Sequence, residues 1–271
     1  MSVQLFLWNG RREFVVIMEC EGGCLMRWTV LGCHSPYPAP GGGTPGYLLE
    51  AEGKKILIDC GSGILAWLVE RIAIEALDAV LLSHLHHDHI VDFFVLQYAV
   101  MTARKQGKRK HPLAVWSPEK PAGWFEKLRY KTEIDRNGIR EGMKIHLGGR
   151  LTVQFFRTDH AVPCFAMRIH DGKRTILYGA DSGPETDWEK MGKSPDLFVC
   201  EASFLHKDLP DQPTGHLSAR QAGLAAGRLK AKQLILTHLY PGYDPDHLKE
   251  EAMAVFDGVC QTAYSGMTVD L

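Results

Sequence analysis

Four imidazoles and a carboxylate crowd into one short segment, His84-Leu85-His86-His87-Asp88-His89. Neutral imidazole and carboxylate are ligands that zinc and related divalent ions take. In an extended or tightly turning segment His84 and His86 project to one side, while Asp88 and His89 begin the next turn and can face a second position nearby. The spacing splits the ligands between two ions, and His87, on the spacer position, is expected to point away. A single cluster rarely supplies enough ligands for two ions, so further donors must come from elsewhere in the chain. Two ions about 3.5–4 Å apart can hold a hydroxide between them and neutralise charge on an attacked group, which is the chemistry of hydrolysis.

The elements that would carry such donors can be read from hydrophobic period and turn residues. Ala79 to Ser83 is a short apolar strand that delivers the histidines at its C-terminal end. Before it, Tyr47 to Ala51 and Lys55 to Gly61 form a hairpin around Glu52-Gly53-Lys54, and Ser62 can cap a helix with apolar positions at Leu65, Leu68, Val69 and Ile72. After it come a helix from Asp92 to Arg104, a strand from Leu113 to Trp116 and a helix around Trp124 to Arg129. The second half gives strands at Leu151 to Arg157, Phe165 to His170, Thr175 to Tyr178, Leu197 to Cys200 and Gln233 to Thr237. Helices follow at Ser218 to Leu229, capped by Ser218, and at Pro245 to Phe256. Hairpins mixed with strand-helix units imply layered sheets covered by helices.

His-x-His-x-Asp-His at the end of an apolar strand resembles the signature of the metallo-β-lactamase superfamily. Three later segments complete the likeness in order: Thr158-Asp159-His160, the run Leu177 to Gly183 containing Asp181, and Leu234-Ile235-Leu236-Thr237-His238. The resemblance runs from about Met26 to the C-terminus. It implies an α/β fold, a four-layer αββα sandwich of two mixed sheets covered by helices. It also implies that His84, His86 and His160 hold one ion and Asp88, His89 and His238 the other, with Asp181 bridging. The cofactors expected are two divalent ions, zinc first, with manganese or iron as alternatives.

Fold alone does not name a substrate. Glu201 in Cys200-Glu201-Ala202-Ser203-Phe204 and His216 in Gly215-His216-Leu217-Ser218 resemble elements of the ribonuclease Z branch, where the carboxylate orients the histidine and the histidine assists phosphodiester cleavage. The resemblance makes Asp88, His216 and Glu201 the expected catalytic residues, with a metal-bridging hydroxide attacking phosphorus. An imidazole titrating near neutrality and held by a carboxylate suits a leaving ribose alkoxide that needs a proton. The chain departs from that branch between His160 and Asp181, where the long tRNA-gripping arm commonly sits and only a hairpin is present. A small phosphodiester or nucleotide-like substrate is therefore expected, with RNA a less favoured partner. The alternatives are a ribonuclease Z-type endonuclease, a thioesterase of the glyoxalase II type, and a non-catalytic metal-binding or sensing protein. Phe93, Phe94, Phe204, Tyr240 and Tyr243 read as core or cleft walls, and no role is assigned to His34.

The 271 residues include 31 basic and 32 acidic side chains, a balance that offers no global attraction for nucleic acid or anionic membrane. The basic run Arg104 to Lys110 reads as a solvated loop. Seven scattered cysteines without a C-x-x-C pair argue against a disulfide framework and for a reducing compartment. No apolar run approaches the ~20 residues of a membrane span, and no export signal is legible at the N-terminus. Cytoplasm is the expected location, and a homodimer stays open. Residues 1–25 read as an N-terminal extension before the domain at 26–271. Glu21-Gly22-Gly23 is what purine-rich codons of a ribosome-binding site would encode if translated, so Met26 is an expected natural start.

Overall fold

A computed structural model describes residues 6–8, 11–13, 26–212 and 214–271. Phe6–Trp8 (β1) and Arg11–Glu13 (β2) pair as a short antiparallel ribbon. The remaining residues that bear on a start at Met26 lie outside the described ones.

Two seven-stranded sheets form the body of the chain. The first is built by Arg27–Gly32 (β3), Gly46–Ala51 (β4), Lys54–Ile58 (β5), Ala79–Leu81 (β6), Leu113–Pro118 (β7) and Ile134–Ile139 (β8). The second uses Lys144–Gly148 (β9), Leu151–Arg157 (β10), Phe165–His170 (β11), Thr175–Tyr178 (β12), Leu197–Glu201 (β13), Gln233–Thr237 (β14) and Val259–Thr262 (β15). Thr268–Asp270 (β16) returns to the first sheet beside β3. The turn joining β4 to β5 is the predicted Glu52-Gly53, both residues left-handed at φ 50° and 72°, as a two-residue hairpin turn requires.

Both sheets change from antiparallel to parallel pairing at mid-sheet. In the first, β5, β6, β7 and β8 run parallel; in the second, β12, β13, β14 and β15 do. Parallel neighbours bring their C-terminal ends to one edge, and that is where the predicted ligands sit. The sheets pack face to face through Trp28, Tyr47, Ile56, Phe155, Met167 and Tyr178, all buried. Each such side chain removed from water stabilises the fold by about 1.5–3 kcal/mol.

Helices Ile64–Val69 (α1), His87–Ile90 (α2), Phe93–Lys105 (α3) and Ala122–Lys127 (α4) accompany the first sheet, and Ala219–Leu229 (α5) and Pro245–Met253 (α6) the second. Separate apolar clusters fill both outer layers, around Leu68, Phe93 and Val100 on one side and Phe198, Ala222 and Leu248 on the other. The αββα sandwich expected from sequence is the observed fold.

Several local expectations are corrected. Ser62 does not cap α1: left-handed Gly63 stands at that position, and the amide of Leu65 donates instead to the Asp92 carboxylate. Helix α6 stops at Met253, not Phe256, which reaches the outer core through the turn that follows. Ser218 does cap α5, in a reciprocal capping box with Gln221. In the basic run, Arg104 binds Glu133 and the Thr132 carbonyl, and Arg109 binds the Leu77 carbonyl, so both arginines fasten loops.

The loop after β5 holds the histidine segment directly. Cys60 donates its amide to the His89 carbonyl and accepts from the Asp92 amide. A Cβ at Gly61 would overlap the Asp88 carbonyl oxygen and the Thr44 hydroxyl. Gly61→Ala is therefore expected to destabilise the protein by about 1–3 kcal/mol as an overpacked contact. Urea denaturation measures this, and wild-type stability would show that the Asp88 backbone yields freely.

Candidate metal centre

All seven predicted ligands meet at the C-terminal edge of the two sheets. His84 and His86 follow β6, Asp88 and His89 lie on α2, His160 follows β10, Asp181 follows β12 and His238 follows β14. Two groups form. His84, His86, His160 and Asp181 have one ligand atom each within 4.8 Å of one another, and so do Asp88, His89 and His238. A third overlapping group joins Asp181, His216 and His238.

The carboxylate of Asp181 divides between the first two groups. Its Oδ2 lies 3.4 Å from His84 Nε2 and 3.7 Å from His160 Nε2. Its Oδ1 lies 3.2 Å from His89 Nε2 and 3.3 Å from His238 Nε2. His86 enters the first group through Nδ1, 3.1 Å from both His84 Nε2 and His160 Nε2. His87 is exposed and turns away, its ring edge-on to Trp124.

A shell of hydrogen bonds sets the presenting atoms. His160 Nδ1 donates to the Gly215 carbonyl at 2.9 Å, which leaves Nε2 as the lone-pair atom. His89 Nδ1 lies 2.9 Å from Asp59 Oδ2, and His84 Nδ1 3.0 Å from Ser83 Oγ. Ser35 Oγ donates to Asp88 Oδ2 at 2.9 Å. Partners of this kind orient metal-binding histidines and raise their basicity. Sequence reading left Asp59 without a role, although it stands at the end of β5. Its carboxylate accepts from Ser83 N, Ser83 Oγ, His89 Nδ1 and, across the sandwich, from Tyr178 Oη at 2.6 Å.

Backbone conformation is also forced here. Asp59, Ala180 and His238 have φ of 54°, 52° and 59°, a left-handed region that non-glycine residues seldom occupy. Each lies just past a strand of the site.

Burial lowers the His84 pKa well below the ordinary imidazole value, helped by the neighbouring His89 charge, and it lowers His86 as well. Those rings are neutral and ready to ligate. Burial would lower His89 and His238 too, but the surrounding carboxylates, Asp181 foremost with Asp88, together outweigh it in both, and His238 is pushed up to about 10. Ion binding at these two rings therefore competes with protons.

The donor chemistry fits divalent ions. His89 Nε2 and His238 Nε2 are buried and both crowd one oxygen, Asp181 Oδ1, at 3.2 and 3.3 Å, without making a well-formed hydrogen bond among the described residues, which is costly for polar atoms unless a ligand meets them.

The description "Beta-lactamase superfamily domain" matches residues 54–239. The chain belongs to the metallo-β-lactamase superfamily. It is 37% identical over 241 residues to a probable metallo-hydrolase, YhfI, of Bacillus subtilis, covering 89% of this chain and 98% of that protein. The crystal structure of YhfI superposes with a TM-score of 0.87 at 36% identity, over 91% of this chain and 100% of the other. Ribonuclease Z of Archaeoglobus fulgidus is 24% identical over 295 residues, covering 86% and 94%. The human short-form tRNase Z shares the fold, with a TM-score of 0.69 at 21% identity over 90% and 98%. Membership of the superfamily implies divalent metal ions, and the expectation of a metal-dependent hydrolase stands with it.

Asp59→Asn keeps the side-chain volume but removes the anion that His89, Ser83 and Tyr178 share. It is expected to weaken metal binding by about 10–100-fold. Chelator competition would measure it; unchanged affinity would make Asp59 a packing residue only.

Proposed function

We propose that the chain is a phosphodiesterase that works with two divalent ions, zinc in first place, on a small phosphodiester or nucleotide-like substrate. His84, His86 and His160 would hold one ion, Asp88, His89 and His238 the other, and Asp181 both. When bound, the ions supply an activated water and neutralise charge on the phosphoryl group.

The observation that carries this reading is the pairing of His216 with Glu201. His216 Nδ1 lies 2.8 Å from Glu201 Oε1, and its ring stands 5.1 Å from that of His160 and 5.3 Å from that of His238. With Nδ1 committed to the carboxylate, Nε2 is the atom left to donate to a departing oxygen. Burial alone would lower the His216 pKa, but the Glu201 charge and hydrogen bond outweigh it and raise it. The imidazolium therefore persists to higher pH than an ordinary histidine, and proton donation fails only above that raised value. Glu201 is itself fully buried, and with burial opposing, the His216 charge holds it ionised.

Substrate size follows from what surrounds the pair. A cavity of about 300 Å³ opens beside His216 and His238, walled by Pro36, Phe204, Tyr240 and Tyr243. Between His160 and Asp181 the chain makes only the β11–β12 hairpin, with no arm to grip a large RNA. Arg104 and Arg109, two cations of the basic run, are engaged in fastening loops, which weakens that run as a polyanion site. Relatives named ribonuclease Z support phosphodiester chemistry in general, and the missing arm favours the smaller ester. The five described cysteines are free and buried, which suits a cytoplasmic setting.

His216→Ala should retain both ions yet hydrolyse bis(p-nitrophenyl) phosphate roughly 10²-fold more slowly or worse. Turnover at the wild-type rate would remove His216 from the mechanism.

A further inference from the structure

Glu201 reaches beyond His216. Its Oε1 accepts from His216 Nδ1 and from the Ser182 amide at 2.8 Å, and its Oε2 accepts from the Leu217 amide at 3.1 Å and from Ser203 Oγ at 2.6 Å. Ser203 Oγ also lies 2.8 Å from His238 Nδ1. A hydroxyl carries one proton. If that proton pointed at His238, two oxygen acceptors would face each other at 2.6 Å in a buried site, which costs more than the bond returns. The proton therefore goes to Glu201, and the serine oxygen must accept from His238 Nδ1–H. That leaves Nε2, which faces the carboxylates of Asp181 and Asp88 at 3.3 and 3.5 Å, as the atom of His238 that can meet an ion.

From this geometry we infer that Ser203 is a positioning residue: it relays the Glu201 carboxylate to His238, fixing the tautomer and ring orientation in which His238 receives a metal ion. The inference rests on the metal assignment proposed above. It gives one buried carboxylate two tasks, holding the His216 ring directly and the His238 ring through a hydroxyl. The two rings accordingly stack, 19° apart in plane. A hydroxyl side chain is required at position 203, and a threonine would serve because it keeps the hydroxyl oxygen on the same carbon.

The test separates this role from that of His216. Ser203→Ala is expected to bind zinc about 10–100-fold more weakly at one of the two ions, read by chelator competition and elemental analysis. Ser203→Thr should recover the affinity, because it restores the hydroxyl that meets His238 Nδ1. Wild-type zinc affinity in Ser203→Ala, or a loss that threonine does not repair, would overturn the inference. Long-range ¹H–¹⁵N spectra of the zinc-loaded wild-type protein provide a check that no substitution can disturb. They should show His238 protonated at Nδ1, and protonation at Nε2 would overturn the inference as well. His216→Ala with unchanged turnover would sink the leaving-group reading while leaving the Ser203 results to stand.

Discussion

A carboxylate withdrawn from water stays ionised only where positive charge or donors surround it, and Asp181 is almost completely buried. Burial alone would raise its pKa, yet His238, His89 and His84 together hold it well below the ordinary range. Each of its oxygens faces a different group of imidazoles. The remaining features of the site exist to bring those groups to opposite sides of one anion. Parallel pairing at the centre of both sheets puts the strand ends together, and the short α2 carries His89 to the Oδ1 side of Asp181 while His84 meets Oδ2.

Around this anion stands a second tier of acceptors, each doing a distinct part of the positioning. Asp59 serves His89, a backbone carbonyl serves His160, and Glu201 serves His216 directly and Ser182 through its amide. The left-handed backbone at Asp59, Ala180 and His238 is the accompanying conformational cost, of order 1–3 kcal/mol at each. Such strain persists only where the surroundings over-determine it, and the bonds of Asp59 to Ser83, His89 and Tyr178 and of His238 to Ser203 fix two of the three.

Much of this was legible in the amino-acid sequence, for an identifiable reason. Interior strands such as β10, β12 and β14 are buried on both faces and read as unbroken apolar runs, and the donors just beyond them stood out by position. In the two seven-stranded sheets the strands that escaped reading, β8, β9, β15 and β16, are the four edges. With one side unpaired they bury fewer of their side chains than the interior strands, so composition marks them weakly. Asp59, Ser203 and Tyr178 escaped for another reason. Tyr178 meets Asp59 across 119 positions of sequence, and Ser203 meets His238 across 35. Such partnerships are created by the packing of two sheets, and no local spacing announces them. Ser62 failed as a cap because a distant carboxylate, Asp92, took the amide first.

The central claim is that one buried carboxylate is shared by two ions. Anomalous diffraction from crystals of the zinc-loaded protein, recorded on both sides of the zinc absorption edge, tests it directly. Two peaks about 3.5–4 Å apart, one against His84, His86 and His160 and the other against Asp88, His89 and His238, with Asp181 between them, are the predicted result. A single peak, or two that do not share Asp181, would contradict it.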